Sequence, residues 1–268
     1  VDLTEVVDLT EVVDLTEVVD LTEVGMTLKP NIIEEVHNTE PLVVTVDTCL
    51  TPDECSHMIN ISKKMMKRSL VSTSTIGVES NGRTSLNTWI QHNHDEITKN
   101  IGEKIAKIVG IPLENAEAFQ VIYYDVNAEY RNHYDSWDHD GSEKTLRCMK
   151  YGGARLKTAL VYLNDVEEGG ATRLTTLNID ILPKLGKLLI FENTYSGTNI
   201  KHPLSQHAGM PVIKGEKYAF NLWFKECHSK RLYVEFNPGY YNTISQDTIS
   251  QDTISQDTIS QDTISQDT

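Results

Sequence analysis

The chain has 268 residues and a formal net charge of −15 at pH 7, but most of that charge lies at its two ends. Residues 1–24 repeat Val-Asp-Leu-Thr-Glu-Val and carry −8, and residues 243–268 repeat Thr-Ile-Ser-Gln-Asp and carry −5, which leaves −2 for residues 25–242. A nearly neutral central region lacks the basic surface of a nucleic-acid-binding protein. No apolar run reaches the ~18 residues of a membrane-spanning helix, and no secretory signal is visible. We therefore predict a cytoplasmic protein, compatible with a bacterial or viral origin, that binds neither nucleic acid nor membrane.

The composition divides the chain into three parts. Residues 25–242 are long enough to bury one core and are predicted to form a single domain. The repeats of residues 1–24 and 243–268 have too few units, or too few apolar residues, to fold alone, and we predict tails that are disordered or added to the native chain. In an alternative interpretation, residues 7–11 (Val-Asp-Leu-Thr-Glu) resemble a SUMO-interaction motif, which adds a strand to a partner sheet.

Four cysteines provide no sign of a disulfide or a metal finger: Cys49, Cys55, Cys148 and Cys227. Their spacings contain neither a C-x-x-C pair nor a zinc-binding pattern. Because no secretory signal precedes them, we predict that all four are reduced thiols.

The first part of the domain is predicted to contain a strand and a helix. Leu42–Val46 is a β-branched run, which is typical of a strand. Thr51 can cap a helix whose first residue is Pro52, and Glu54 completes a capping box. This helix is predicted to end near Arg68.

A second helix is predicted over residues 94–109. Its isoleucines recur at spacings of four, four and three and are predicted to lie on one face: Ile97, Ile101, Ile105 and Ile108. Gly110 is suited to end the helix, and Pro112 prevents its continuation. The polar residues 69–85 between the two helices are predicted to form a loop with at most one short strand.

The rest of the domain is predicted to be mainly β. Short aromatic and β-branched runs alternate with clusters of Gly, Asn and Asp, which is typical of a sandwich or barrel. These runs are Phe119–Tyr124, Thr158–Leu163, Lys187–Phe191 and Tyr218–Phe224. Because the helices precede the strands, we expect them to pack outside a β core.

His133 and Asp135 form an H-x-D pair. In a strand, residues two positions apart face the same side, so an imidazole and a carboxylate would point to one place. Two histidines and one carboxylate form the facial triad that binds Fe(II) and leaves open positions for substrate and oxygen. His207 would supply the second histidine. The alternative is a loop histidine beside an acid, because so short a motif needs its structural context.

Lys217 lies ten residues after His207, in an otherwise apolar stretch. A buried lysine costs free energy unless it has an anionic partner. In a barrel it could hold the distal carboxylate of a dicarboxylate such as 2-oxoglutarate. It could equally extend its ammonium group to solvent.

Residues 42–230 resemble the prolyl 4-hydroxylase family of Fe(II)/2-oxoglutarate dioxygenases. Four stretches in the family's order support the resemblance: Arg83-Thr84-Ser85 followed by Trp89; Tyr124 to Asp135, similar to Y-x-x-G-x-x-Y-x-x-H-x-D; Gly153 to Thr172; and His207 to Trp223, similar to H-A-G-x-P-V-x-x-G-x-K with a trailing N-x-W. The resemblance implies a mainly β fold, a double-stranded β-helix (jelly-roll, cupin-like) core with N-terminal helices packed outside.

The resemblance also implies a role for each matching position. The implied iron ligands are His133, Asp135 and His207. The residues implied to bind 2-oxoglutarate are Lys217, Tyr124 and Thr172, and Lys217 completes the catalytic set. The implied substrate residues are Arg83, Thr84 and Ser85 on a closing loop, and Tyr130, Arg155 and Trp223 in the pocket. O2 would be the second co-substrate, and ascorbate the reductant.

One position departs from the family pattern. The glycine expected between Tyr124 and Tyr130 is Asn127. Asn tolerates the left-handed conformation better than most non-glycine residues, so we expect the turn to persist with an altered loop shape.

The predicted function is hydroxylation of proline in a peptide or protein, coupled to decarboxylation of 2-oxoglutarate to succinate and CO2. One alternative is an enzyme of the same fold that acts on a free amino acid or on another side chain. Another is a binding module that has lost catalysis.

Overall fold

The structure is a computed structural model and describes residues 34–73 and 76–236. The two terminal repeats, the suggested SUMO-interaction motif and the predicted domain boundaries lie outside the described residues. The strands are β1 Glu34–Thr39, β2 Leu42–Val46, β3 Lys67–Arg68, β4 Val71–Ser72, β5 Gly77–Val78, β6 Leu86–Ile90, β7 Phe119–Tyr124, β8 Tyr130–His133, β9 Arg155–Tyr162, β10 Glu168–Gly169, β11 Thr172–Leu174, β12 Ile179–Ile181, β13 Leu188–Glu192, β14 His207–Gly209, β15 Val212–Lys214 and β16 Lys217–Lys225. The α-helices are α1 Pro52–Ser62, α2 Glu96–Val109, α3 Glu143–Met149 and α4 Tyr233–Phe236. Within the described ranges, every helix is too short or too polar to cross a membrane.

Two antiparallel sheets form the β core. The large sheet has eight strands in the order β1-β2-β13-β9-β16-β7-β6-β3, and the small sheet has four in the order β12-β11-β14-β8. The predicted mainly β fold, a double-stranded β-helix with flanking helices, is confirmed. All four predicted strand runs are present, as β7, β9, β13 and β16, and their ends lie within three residues of the predicted ones.

Successive residues of the large sheet face two different cores, because side chains alternate along a strand. Val44 packs in the cluster that contains Met58 of α1 and Ile105 of α2. Its neighbour Val43 packs in the cluster that contains Leu174 of the small sheet. The helices therefore cover the outer face of the large sheet, as predicted, and the small sheet covers its inner face.

Helix α1 begins as predicted and ends earlier. Thr51 caps it and forms the capping box with Glu54. The α-helix ends at Ser62 and tightens into a 3₁₀ turn, so the predicted end near Arg68 is wrong. The reason is tertiary: Lys67–Arg68 extend and pair with β6 at the edge of the large sheet.

Helix α2 has nearly the predicted bounds, but the face that carries its isoleucines is only partly buried. Asp95 caps it, and Gly110 ends it in the left-handed conformation with φ 76°. Ile101 and Ile105 are fully buried, but Ile97 is 42% exposed, so the face that carries the isoleucines is not buried along its whole length. The buried stripe also includes Thr98 and the small residues of the helix, so Ile97 lies at its edge in the first turn.

Residues 69–85 contain more structure than predicted. They form a hairpin of two short strands, β4 and β5, where one short strand at most was expected. All four cysteines are buried, and among residues 34–73 and 76–236 none of them forms a disulfide, so their reduced state stays a prediction. Burial raises the pKa of Cys49 to about 12, so this thiol stays protonated and unreactive at neutral pH.

Candidate active site

Three side chains suited to bind a metal ion meet between the two sheets. His133 ends β8 and His207 begins β14, and the two residues are paired in the register of the small sheet. Asp135 follows two positions after His133. One ligand atom from each of the three lies within 4.8 Å of the others. The fold thus brings together the three residues that the sequence analysis selected.

Hydrogen bonds to main-chain carbonyls orient both imidazoles. His133 Nδ1 lies 2.8 Å from the carbonyl oxygen of Arg131, and His207 Nδ1 lies 3.0 Å from that of Ser205. A carbonyl oxygen only accepts, so each Nδ1 carries the proton and donates it. Burial, with a further contribution from His207, holds the pKa of His133 well below its usual value. The Nε2 atom of His133 therefore offers a lone pair, which is the form that binds metals.

Asp135 is ionised and held by two donors. Thr158 Oγ1 and Trp223 Nε1 each donate to Asp135 Oδ2 at 2.8 Å. Burial alone would raise the pKa of Asp135, but the charge and hydrogen bond of His207 outweigh it and hold the pKa well below its usual range. A charged carboxylate beside two imidazoles fits a divalent metal ion such as Fe(II).

Lys217 is buried at the start of β16, opposite Tyr124 in the sheet register. Its Nζ donates to the carbonyl oxygen of Gly170 at 2.8 Å, and within residues 34–73 and 76–236 no ion pair joins it to an acid. Burial lowers the pKa of Lys217 to about 7. Only 2% of the residue is exposed, so the interpretation in which the ammonium group reaches solvent is wrong. A carboxylate entering the site would restore its charge and use its remaining donors.

Two hydroxyl groups near Lys217 are suited to assist in binding a carboxylate. Burial raises the pKa of Tyr124 to about 12, so its phenol stays protonated and can donate. Thr172 Oγ1 lies 2.8 Å from the hydroxyl oxygen of Tyr162, and a threonine hydroxyl can both donate and accept. Both Tyr124 and Thr172 line the same cavity as Lys217.

This cavity has a volume of about 410 Å³ and opens to solvent between the two sheets. Ten predicted site residues line it: Arg83, Tyr124, Tyr130, His133, Asp135, Arg155, Thr172, His207, Lys217 and Trp223. The other two hold the loop in place. Thr84 Oγ1 accepts from the main-chain nitrogen of Glu129 at 2.8 Å, and the buried Ser85 Oγ donates to Ser69 Oγ at 2.9 Å.

One wall of the cavity is a stack of three side chains. Tyr130 lies against His133 with ring centroids 3.5 Å apart, and the guanidinium carbon of Arg83 lies 4.5 Å from the Tyr130 centroid. Arg83 is fixed from behind by hydrogen bonds to the Leu70 carbonyl at 2.8 Å and to Gln120 at 3.2 Å. Arg83 of this loop is thereby joined to His133 through contacts with the Tyr130 ring.

A second part of the cavity lining is built on Arg155. Its guanidinium makes two hydrogen bonds of 2.7 Å to the carboxylate of Glu117 and lies 3.7 Å from the ring centroid of Trp223 and 5.0 Å from that of Trp137. The bidentate pair holds the guanidinium plane rigidly against the indole. Sequence analysis did not identify Glu117 or Thr158, because nothing in their local sequence shows which distant side chain they meet.

The turn before β8 has the backbone conformation expected at the departure from the family pattern. Asn127 is left-handed, with φ 64°, which confirms the expectation for this residue in place of glycine. Its main-chain nitrogen donates to the carbonyl oxygen of Val212 at 2.8 Å, which fastens the turn to the start of β15.

Comparisons with known proteins agree with this geometry. Residues 119–225 match the family model of the 2OG-Fe(II) oxygenase superfamily. The chain is 33% identical to prolyl 4-hydroxylase 5 of Arabidopsis thaliana over 211 residues. This alignment covers 71% of this chain and 70% of that protein. It is 35% identical to a putative prolyl 4-hydroxylase of Acanthamoeba polyphaga mimivirus over 194 residues. This alignment covers 72% of this chain and 77% of that protein.

A solved structure gives the same result. The 2OG complex of the viral collagen prolyl hydroxylase from Paramecium Bursaria Chlorella virus-1 aligns with a TM-score of 0.56 and 30% sequence identity, over 69% of this chain and 96% of that one. Sequence identity, coverage and fold thus agree with the cavity that the side chains form. This chain belongs to the prolyl 4-hydroxylase family of Fe(II)- and 2-oxoglutarate-dependent dioxygenases.

Proposed function

We propose that this dioxygenase hydroxylates proline residues of a peptide or protein and couples the reaction to conversion of 2-oxoglutarate to succinate and CO2. The main observation in support is that His133, Asp135, His207 and the buried Lys217 line one cavity of about 410 Å³. Fe(II), 2-oxoglutarate and O2 supply the oxidising chemistry when bound, and ascorbate is the reductant usual for the family.

The side chains of the site divide the work of binding. His133, Asp135 and His207 hold the iron, and Lys217 holds the distal carboxylate of 2-oxoglutarate with the help of the hydroxyl groups of Tyr124 and Thr172. Because Lys217 is almost fully buried, its ion pair with that carboxylate forms away from water, where it is stronger than at a surface.

The aromatic side of the cavity is suited to a proline ring. Tyr130 and Trp223 present flat apolar faces, and Arg155 is held against Trp223 by Glu117. Such walls bind an apolar ring and orient it with few polar groups. Arg83 and its loop, held by Thr84 and Ser85, close the side through which a peptide would enter.

The test is hydroxylation of defined peptides by the full-length chain supplied with Fe(II), 2-oxoglutarate and ascorbate. One solved relative is named a collagen prolyl hydroxylase, so collagen-like (Pro-Pro-Gly) repeats and poly-proline are the first substrates to try. We expect a mass gain of one oxygen on these peptides, located on proline by fragmentation, and none when alanine replaces proline.

The Asp135→Ala variant is the matched control, since it removes one iron ligand and should abolish the mass gain. Conversion of 2-oxoglutarate with no hydroxylated proline on any peptide would contradict the proposal and favour a free amino acid or another side chain as substrate. If neither metal nor 2-oxoglutarate raised the melting temperature, the chain would instead be a binding module.

A further inference from the structure

Asn193 lies directly after β13 and is fully buried. Its Nδ2 atom donates to Thr158 Oγ1 at 2.8 Å, and that hydroxyl lies 2.8 Å from Asp135 Oδ2. An amide nitrogen only donates, so Thr158 must accept from Asn193. The single hydroxyl proton of Thr158 is then directed to Asp135. Asn193 thereby fixes the direction of the hydrogen bond that holds this carboxylate.

The main chain of Asn193 also supports a second ligand of the set. Its carbonyl oxygen accepts from the main-chain nitrogen of His202 at 2.9 Å, and Ser205 Oγ donates to the carbonyl oxygen of His202 at 2.8 Å. The carbonyl oxygen of Ser205 accepts in turn from His207 Nδ1 at 3.0 Å. The turn that carries His207 into the site is thus fastened to the same residue that orients Asp135.

The remaining polar atom of the side chain argues against a role in packing alone. Asn193 Oδ1 is buried and has no hydrogen-bond partner among the described residues. An unpaired buried acceptor destabilises a fold, and an apolar side chain of the same shape would avoid that cost. The one hydrogen bond that the structure gives this side chain is its donation to Thr158.

We propose that Asn193 is a positioning residue of the metal site, which acts through Thr158 to orient Asp135. Thr158 and Trp223 both donate to Asp135 Oδ2, the oxygen that lies 3.4 Å from His207 Nε2, so these two donors set the orientation of the carboxylate beside the histidines. Without Asn193, the Thr158 hydroxyl is free to rotate away from Asp135, and the carboxylate loses one of the two bonds that fix its plane. This inference rests on the metal site of the proposed function.

Two substitutions of Asn193 test the effect of its amide donor while keeping the shape of the side chain. Asn193→Leu keeps the branched shape and removes the donor. Asn193→Asp also keeps the shape but replaces the donor by an acceptor that competes with Asp135 for the Thr158 proton. We expect each to weaken Co(II) binding to the metal-free full-length protein by about tenfold or more, the range typical of groups that orient metal ligands. Titration calorimetry with Co(II) alone measures this affinity without any turnover.

Thr158→Val tests whether Asn193 acts through this hydroxyl. It should weaken Co(II) binding to a similar extent, and adding Asn193→Leu to it should cause little further loss. Asn115→Ala is the matched control: its amide donates to the carbonyl oxygens of Lys225 and Glu226 at 3.3 Å, away from the ligands, so Co(II) affinity should be unchanged.

Wild-type affinity, within about twofold, in both Asn193 variants would overturn the proposal. An equal loss from Asn193→Leu in the presence and absence of Thr158→Val would also overturn it, because the effect would not pass through the hydroxyl. If the leucine variant fails to fold, Asn193→Asp and Thr158→Val decide in its place. Since Co(II) binding is measured directly, failure to hydroxylate proline peptides leaves this test unaffected.

Discussion

Lys217 illustrates how burial determines the chemistry of one residue. Its pKa is about 7 in the folded protein because the amine is buried, whereas a lysine in an unfolded chain has a pKa of about 10.4. Between these two values the unfolded state binds more protons than the folded state. The contribution of this lysine to stability therefore rises with pH from about 7 to about 10.4 in the ligand-free protein. A bound carboxylate would favour the charged amine and raise its pKa.

We predict that binding of 2-oxoglutarate near pH 8 takes up a proton on Lys217. Affinity should fall as the pH rises above about 7, since the free amine is then increasingly neutral. Calorimetry of the metal-loaded protein in buffers of different ionisation enthalpy measures the uptake. Lys217→Met should bind 2-oxoglutarate about 10- to 100-fold more weakly, as expected for loss of a charged hydrogen bond, and should take up no proton. Proton release by the wild type would contradict the assignment.

Asn127 tests the cost of a left-handed residue in the turn before β8. Its φ of 64° suits asparagine and glycine and disfavours residues with other side chains. Asn127→Ala should destabilise the protein by about 1 kcal/mol, and Asn127→Gly should change stability by less. Urea unfolding curves of the two variants measure the difference. Equal midpoints for alanine and glycine would show that the turn does not require this conformation.

At the scale of elements, helix α2 shows which features follow from nearby residues and which depend on tertiary packing. Termination at Gly110 follows from the residue types near that end and is present in the structure, which also shows a cap at Asp95 that was not predicted. The buried face depends in addition on where the large sheet lies. Ile97 continues the isoleucine spacing but falls in the first turn and stays 42% exposed, while Ile101 is fully buried.

A matched pair of substitutions in α2 measures this difference. Ile101→Ala removes a fully buried side chain from the cluster between the helices and the large sheet and should cost about 3 kcal/mol of the free energy of unfolding. Ile97→Ala should cost about 0.5 kcal/mol or less, because the side chain is largely exposed. Thermal or urea unfolding of both variants gives the comparison. Similar losses would mean that α2 is rotated relative to the described packing.

At the scale of the molecule, antiparallel pairing gathers residues from across the chain into one cavity. His133 of β8 and His207 of β14 meet because these strands are neighbours in the small sheet, and Lys217 meets Tyr124 because β16 and β7 are neighbours in the large one. The lining residues span Val71 to Trp223. The terminal repeats, which hold −13 of the net charge of −15, lie outside the residues that the structure describes.

We predict that the chain shortened to residues 25–242 retains proline hydroxylation. The kcat/KM on collagen-like peptides should stay within about twofold of the full chain, since every predicted site residue is present. The shortened chain, with a net charge of −2, should also elute from an anion exchanger at lower salt. A large loss of turnover with an unchanged melting temperature would assign the repeats a part in substrate binding.

What the sequence by itself determined depends on short-range pattern and spacing. The Thr51 cap, the aromatic and β-branched strand runs and the four family stretches are all visible in it, and they suffice to predict the fold and the candidate ligand set. The tertiary structure alone decided that Lys217 has no acidic partner among the described residues and that Arg155 is held by Glu117. It also decided which groups hold Asp135: Thr158, 23 residues away, and Trp223, 88 residues away. Such contacts arise where the sheets bring distant strands side by side, and no local pattern records which strands those are.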